Sequence, residues 1–584
     1  MTKEKTNFYL IFFFALILGI LVDYLFYQKS IGISFFVFNS IAIIFALILA
    51  KRFDEKISRT QYLVLISILL FSAGVFLRVS LFLTFFNIIG SLYLLFFFLT
   101  LFLNKNILNF KFSKYFIYPL SFFLKSFSSA TRFIRKFKNA IPENNKIGSK
   151  EFRGVIKGVI IAVPFLIIFI LLLSSADQVF QSYANKFIKI DIDFGIILRV
   201  LKVLFVSYLF LGIFSKIARS EKREEIKDSS QRLESISNIK LESAENKTEK
   251  NKPSNFIESS TVLILIELLF LSFIIIQFYY LFGGKDYVWG IEEYITYSEY
   301  AKKGFYELIC VSIISFLLIY VIDESGKRET PKEKKIFKIL SAILVLEISV
   351  IIYSAFTRMS VYVDGYGLTF SRFLVFTFLL WIFFVFLNFL YKMLLEKRKE
   401  FFFLLVFCLS IIFWVGINAI NPDAFIARKN IARLAQGEKI DSFYLSRLSA
   451  DAIPETVKIF QMDVDEEIKV EVARDLYYRC DYILGNGYYY DYGDSWENEP
   501  VSFKEKLKHV EEKQNENWQS LNISEKKALL ALKKNYQEIV KYQSKYFKKQ
   551  AKECWEDLKN CNKKWGGCNK KMCEVHEKEA KMDE

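Results

Sequence analysis

Histidine is almost missing from this chain: there are two in 584 residues, His509 and His576, and neither lies in an apolar stretch. A relay of imidazoles inside a membrane, or a histidine-built metal centre, therefore has no material. Proline is scarce too, with eight residues, so long helices can run with few breaks. There is no GxxxxGK[ST] phosphate loop, no HExxH pair and no Ser/His/Asp set to assemble. The expectation is a protein that is not an enzyme and carries no cofactor. No catalytic, cofactor-binding or metal-ligating residue is assigned.

The other absence is charge over long distances. The chain is 24% charged, yet 53% hydrophobic with 63 phenylalanines, and its mean hydropathy is +0.27. Apolar and charged residues are segregated. Crossing a hydrocarbon core of about 30 Å takes roughly 20 helical residues, and a helix alone satisfies its backbone there. Runs of that kind fall at about 7–26, 31–50, 61–77, 80–103, 154–174, 194–214, 260–282, 304–322, 336–356, 373–391 and 401–420. The fold class expected is all-α: a polytopic helical membrane bundle of about eleven spans with a C-terminal helical soluble tail. The first run is long, lacks an Ala-x-Ala-like cleavage site and carries Asp23, which favours a retained helix over a signal peptide.

Every second connector is rich in Lys and Arg: Lys51 to Arg59, Lys105 to Lys150, Lys216 to Arg223, Lys327 to Lys335, Lys392 to Lys399. Short cytoplasmic loops carry this excess. The N-terminus is then expected in the cytoplasm of a bacterial cell and the tail outside its inner or plasma membrane. The organisation that follows is a four-helix membrane segment at 1–103, a basic cytoplasmic amphipathic loop at 104–153, helices five and six at 154–215, a disordered cytoplasmic linker at 216–258, helices seven to eleven at 259–420, and the external tail at 421–584. The net charge of +16 sits mostly beside the membrane. Anionic lipid at the cytoplasmic face is the expected partner, not nucleic acid. The stretch 115–137, with Phe116, Phe122, Phe123, Phe127, Phe133 and Phe137 among Lys125, Arg132, Arg135 and Lys136, reads as an interfacial amphipathic segment. Plain anchoring and lipid-sensing or partner docking both stay open for it.

Ionisable residues inside the bilayer mark either internal pairs or a functional path. Glu267, Glu347, Arg199 and Lys202 fall within spans. A salt bridge from Arg199 or Lys202 to one of the glutamates, proton or ion handling by the two glutamates, and silent protonated carboxyls are the three readings. Pro164 implies a kink in the fifth span.

Three further segments are unlike ordinary connectors. They read YLFGG at 280–284 with TYSEYAKKGFYEL at 296–308, VYVDGYGLT at 361–369 leading to Arg372, and NPDAFIARKNIAR at 421–433 followed by LSADAIP at 448–454. In this order and spacing they resemble the bacterial multi-pass membrane proteins grouped as domain of unknown function 4173, related to the 4153 group. The resemblance covers about 153–530, with Lys302, Gly365 and Lys429 as departures. It implies an inner- or plasma-membrane protein and no assigned activity. Arg358, Asp364, Arg372, Asp423, Arg428 and Arg433 would gather near the outer interface. They would form either an Arg–Asp network tying the loop ends together or a pocket for an anionic ligand.

The tail reads helical at 423–436, 441–448, 454–461 and 466–483, then from Phe503 and from Ser524, with Ser524 as an N-cap. A protein partner through this tail is the expectation that goes with a scaffold role. Of seven cysteines, five lie here: Cys480, Cys554, Cys561, Cys568 and Cys573. Their spacing leaves local disulfides, unpaired thiols and a metal site open. The function expected is a non-enzymatic envelope sensor, scaffold or accessory component. The alternative is a transporter or lipid-handling permease using the intramembrane carboxylates.

Overall fold

The structure, a computed structural model, describes residues 3–55, 57–102, 112–139, 194–217, 256–282, 305–325, 328, 330–395, 399–483, 501–560 and 570–582. Among the described residues every regular element is helical. The apolar part comprises α1 (Lys3–Phe26), α2 (Ile33–Arg52), α3 (Arg59–Leu77), α4 (Leu81–Thr100), α5 (Phe112–Asn139), α6 (Phe194–Ile217), α7 (Phe256–Phe282), α8 (Phe305–Ser325), α9 (Pro331–Tyr366), α10 (Phe370–Leu395) and α11 (Lys399–Ile420). Nine of these are long and apolar enough to cross a membrane, and all nine fall on expected spans. The expected eighth span forms as α8. The expected fifth span with Pro164, and the linker between α6 and α7, lie outside the described residues. The chain is a multi-pass membrane protein.

Local chemistry sets the helix ends. Ser58 and Gln61 form a capping box at the start of α3, as Thr330 and Glu333 do at α9. The third and fourth spans stay separate because the chain turns extended at Arg78, where α3 ends. α1 to α6 share one apolar core with α11, around Leu18, Phe97, Phe98 and Phe214. α7 to α11 share a second, around Leu344, Phe386 and Phe389.

The tail comprises α12 (Pro422–Leu434), α13 (Ser442–Ser446), α14 (Ile453–Thr456), α15 (Glu466–Ile483), α16 (Phe503–Glu516), α17 (Ile523–Lys534), α18 (Tyr536–Asn560) and α19 (Lys570–Met582). Its core holds Ile426, Ala473, Phe503, Leu532 and Phe547, and continues into Leu83, Phe373 and Ile417 on α4, α10 and α11. The tail therefore packs against one end of the membrane bundle. Its backbone touches the α1–α2 turn, where Ile33 N–H donates to the Leu521 carbonyl at 3.0 Å. A Cβ on Gly32 would sit 2.6 Å from that same oxygen, which is why the position has no side chain. Since helices alternate direction, the cationic ends at Lys51, Lys216 and Lys392 lie at the opposite end.

Two aspartates, a partly exposed Asp23 and a buried Asp323, join helices by ion pairs. Asp23 of α1 binds Arg199 at 2.7 Å and Lys202 at 3.0 Å on α6. The salt bridge expected from Arg199 or Lys202 to Glu267 or Glu347 is thus corrected: both cations are taken by Asp23, one helix away. Asp323 of α8 binds Arg328 at 3.1 Å and Lys392 of α10 at 2.7 Å. Hydrogen bonds between charged groups contribute roughly 1.5–3 kcal/mol. Asp23→Asn is therefore expected to lower the thermal stability of the detergent-solubilised protein by about 2 kcal/mol, and R199Q/K202Q to add little on top of it. Additive losses in that double-mutant cycle would disprove the coupling.

A polar latch between membrane helices and tail as the candidate functional site

The site is built on Asp451, whose side chain has no exposed surface. It lies in the short 3-10 turn Ala450–Ala452, between α13 and α14. Its Oδ2 accepts the backbone N–H groups of Val79 at 2.8 Å and Ser80 at 3.2 Å, and the Ser449 hydroxyl at 3.2 Å. Its Oδ1 accepts from Asn421 Nδ2 at 3.3 Å and from the Ser524 hydroxyl, with the Arg78 guanidinium 4.0 Å away. Ser80 precedes α4 and makes no side-chain cap of its own. A carboxylate from the tail thus stands at the N-terminus of α4, where the helix dipole favours negative charge.

Arg78 completes the exchange. Its Nε donates to the Asn418 carbonyl at 2.7 Å and one terminal nitrogen to Ala419 at 3.4 Å, so a cation sits on the last carbonyls of α11. One turn further into the membrane, Asn87 Nδ2 donates to Asn418 Oδ1 at 2.7 Å. Asn87 Oδ1 accepts from Asn418 Nδ2 at 3.1 Å and from the Trp414 indole at 2.8 Å. A Cβ on Gly74 would meet Asn87 Nδ2 at 2.4 Å. Asn87 is fully buried, and between apolar helices each of these bonds stands in for water that is absent.

From the other side comes α17. The sequence points to Ser524 as its N-cap; the structure corrects this to Asn522. The Asn522 Oδ1 accepts from Ser524 N–H at 2.9 Å, and its amide nitrogen donates to the Val75 and Arg78 carbonyls at 3.2 and 3.0 Å. That leaves the Ser524 hydroxyl free to join Asp451 and the Leu77 carbonyl, 2.9 Å away. Glu525, half-buried in the next position, has its carboxyl pushed up to about 7 by burial and by Asp451, against a smaller opposing pull from Lys513.

The expected outer residues gather nearby, but mostly on backbone and not in Arg–Asp pairs. Asp423 accepts from Ser449 N–H at 3.1 Å. Asn430 clasps Leu368 with two hydrogen bonds, at 2.7 and 2.8 Å. Arg433 donates to the Asp364 carbonyl at 2.7 Å, while the Asp364 side chain is exposed. Arg372 donates to the Tyr366 carbonyl at 3.2 Å and to that of Gly367, and lies over the Tyr362 ring. These arginines close the C-terminal end of α9. Gly367 has φ +78, and a Cβ there would meet Arg433 at 2.8 Å, so only glycine fits the turn. Arg428 pairs with Glu455 at 3.0 Å on the tail surface. Burial pushes the Glu455 carboxyl up, but hydrogen bonds from Lys458 and Arg428 outweigh it and hold it below the usual range. Arg358 is half-buried in α9.

Glu267 of α7 and Glu347 of α9 lie apart from the latch. Each is 8% exposed. Glu267 Oε1 and Glu347 Oε2 have no hydrogen-bond partner among the described residues. In the tail, Cys554 and Cys573 form a disulfide that ties α18 to α19, so one of the expected local disulfides is present. Cys561 and Cys568 lie outside the described residues. Among the described residues no group of three His, Cys, Asp or Glu side chains could hold a metal.

Sequence reading missed Asp451, Arg78, Asn87, Asn418 and Asn522 as site residues. A signal for them existed in Asn87 and Asn418, polar residues inside apolar runs. Asp451→Ala leaves two backbone N–H groups and Arg78 facing a void, and is expected to cost about 3–5 kcal/mol. Limited proteolysis should then release the tail from an otherwise intact membrane part. An unchanged digestion pattern would refute the latch. The pH dependence has a definite sign. The folded state holds the Glu525 proton above its ordinary value of about 4.3, so the stability it contributes is full below that value and is lost as pH rises through about 7. The tail of the wild type should resist protease better at about pH 5 than at about pH 8, and Glu525→Gln should flatten that difference.

No curated protein and no solved structure matches the chain. A family model does, over residues 65–459, a span that opens earlier and closes sooner than the sequence motifs suggest. It takes in Arg78, Asn87, Asn418, Asn421 and Asp451 but stops short of Asn522 and Ser524. Since the match covers more than half of its length, the chain belongs to the family described as domain of unknown function, DUF4153.

Proposed function

We propose that the chain is a non-enzymatic component of the bacterial cell envelope, a sensor, scaffold or accessory subunit whose helical tail stands outside the inner or plasma membrane and is latched to the membrane helices. The observation that carries this reading is the Asp451 node, which binds the tail to the ends of α3, α4 and α11 at once. An enzyme would be expected to gather reactive groups in an accessible cleft; here the polar groups are spent on helix ends. The orientation draws on two supports. The cationic connectors favour the cytoplasm. The Cys554–Cys573 disulfide suits an oxidising compartment.

A second reading, a permease for protons or small cations, rests on the unpaired oxygens of Glu267 and Glu347. It is weaker because nothing described connects these carboxylates to either surface.

In intact cells a membrane-impermeant maleimide should label a Lys526→Cys variant; labelling only after lysis would invert the orientation. Photo-crosslinkers placed at the exposed Phe443 and Leu530 should capture a partner in wild type and less of it in Asp451→Ala. No crosslinks, together with a deletion strain of unchanged lipid and wall composition, would sink the scaffold reading. Loss of a pH-driven flux in Glu267→Gln proteoliposomes would install the permease instead.

A further inference from the structure

α5 carries three faces instead of two. Its buried face, with Tyr115, Phe122, Ser126, Ala130 and Phe133, packs on the bundle. Ser126 meets α6 at Gly212, where a Cβ would lie 2.0 Å from the Ser126 carbonyl oxygen. Lys216 of α6, itself buried, donates to the Phe122 carbonyl at 2.5 Å and the Ser126 hydroxyl at 3.0 Å. At one end Tyr115 packs on Phe97 of α4 and Phe407 of α11; at the other Phe133 packs on Phe8 of α1. All of these partners lie near the helix ends that carry the cationic connectors. α5 therefore runs across the bundle as a belt at that end.

The second face is apolar and exposed: Phe116, Leu120 and Leu124, spaced four apart, with Ile117 beside them. The third is cationic: Lys125, Arg132, Arg135 and Lys136, all exposed. Residues 112–139 contain no carboxylate, and among the described residues none of these four cations has an ion-pair partner. Lys216, a further cation, reaches Ser126 beside Lys125 and among the described residues is itself bonded only to a carbonyl and a hydroxyl, so the cluster gains positive charge and no counter-charge there. A side that wants hydrocarbon next to a side that wants anions fits one environment, the boundary between acyl chains and headgroups.

We propose that α5 is a belt that holds the phosphodiester headgroups of anionic phospholipids, with the exposed Phe116, Leu120 and Leu124 set among their acyl chains. The preceding reading supplies only the leaflet, the cytoplasmic one. The binding itself follows from α5 alone.

Native mass spectrometry of the detergent-extracted full chain tests it, because extracted protein has no sidedness and the result stands apart from the orientation reading. Offered phosphatidylglycerol and phosphatidylcholine at equal concentration, wild type should retain the former by about tenfold or more, given a contribution of roughly fivefold per cation before screening. The preference should fall as salt rises. The K125Q/R132Q/R135Q/K136Q variant changes only exposed side chains and should lose the preference. A charge-matched control in the tail, K508Q/K526Q/K527Q/K534Q, should keep it. Equal retention of the two lipids by wild type, equal loss in the control, or displacement of the lipid by excess inorganic phosphate would each overturn the proposal.

Discussion

Helix ends buried under protein impose the constraint on which this structure depends. Every helix leaves its first N–H groups and last carbonyls without internal partners, and at an open membrane surface water supplies them. Where the tail covers the bundle, water is displaced and the protein must supply them itself. The α4 N-terminus lies under the tail, and the partly exposed C-termini of α11 and α9 lie at its edge. They are met by Asp451, by Arg78, and by Arg372 with Arg433 and Asn430. Sign follows the dipole in each case: a carboxylate at the N-terminus, guanidinium groups at the C-termini. The tail is therefore attached through the unsatisfied chemistry of the helices it covers, and its apolar core at Ile417, Phe373 and Leu83 closes around those bonds.

The membrane helices handle charge by a different rule. Asp23 and Asp323 each hold two cations from neighbouring helices or connectors, which neutralises groups that lipid would reject. Glu267 and Glu347 do not follow it. Glu267 on α7 and Glu347 on α9 are both buried, and among the described residues neither is paired with a cation. The unequal treatment of the two acidic sets is what keeps a transport role in view.

Much of this architecture was legible because hydropathy and charge are one-dimensional signals. Spans such as 31–50 and 373–391 can be read without knowing their neighbours, and α5 betrayed itself by aromatic and cationic residues at helical spacing. What stayed hidden depends on residues far apart in the chain. Asp451 in SADAIP looks like a surface turn residue until Val79, Asn421 and Ser524 arrive from three other places. Arg199 and Lys202 suggested glutamates at mid-span, but the pairing was decided by the packing of α1 on α6, and no pattern in either segment announces that. Ser524 satisfied the capping rule by type; Asn522 displaced it because its amide could also reach the Val75 and Arg78 carbonyls.

The latch and the belt are joined by the same two helices. α4 and α11 are fixed to each other at the tail end through Arg78 and Asp451, and one turn inward through Asn87, Asn418 and Trp414. At the cationic end both touch Tyr115 of α5. Two helices tied at three levels slide past one another far less readily than two held by apolar contact alone, since each polar bond broken in lipid has no water to replace it. The tail at Asp451 and the belt at Tyr115 are thus joined to opposite ends of the same α4–α11 pair. The Asn87 cluster, bonded from α4 to Asn418 and Trp414 of α11, is what makes the pair a strut instead of two independent rods.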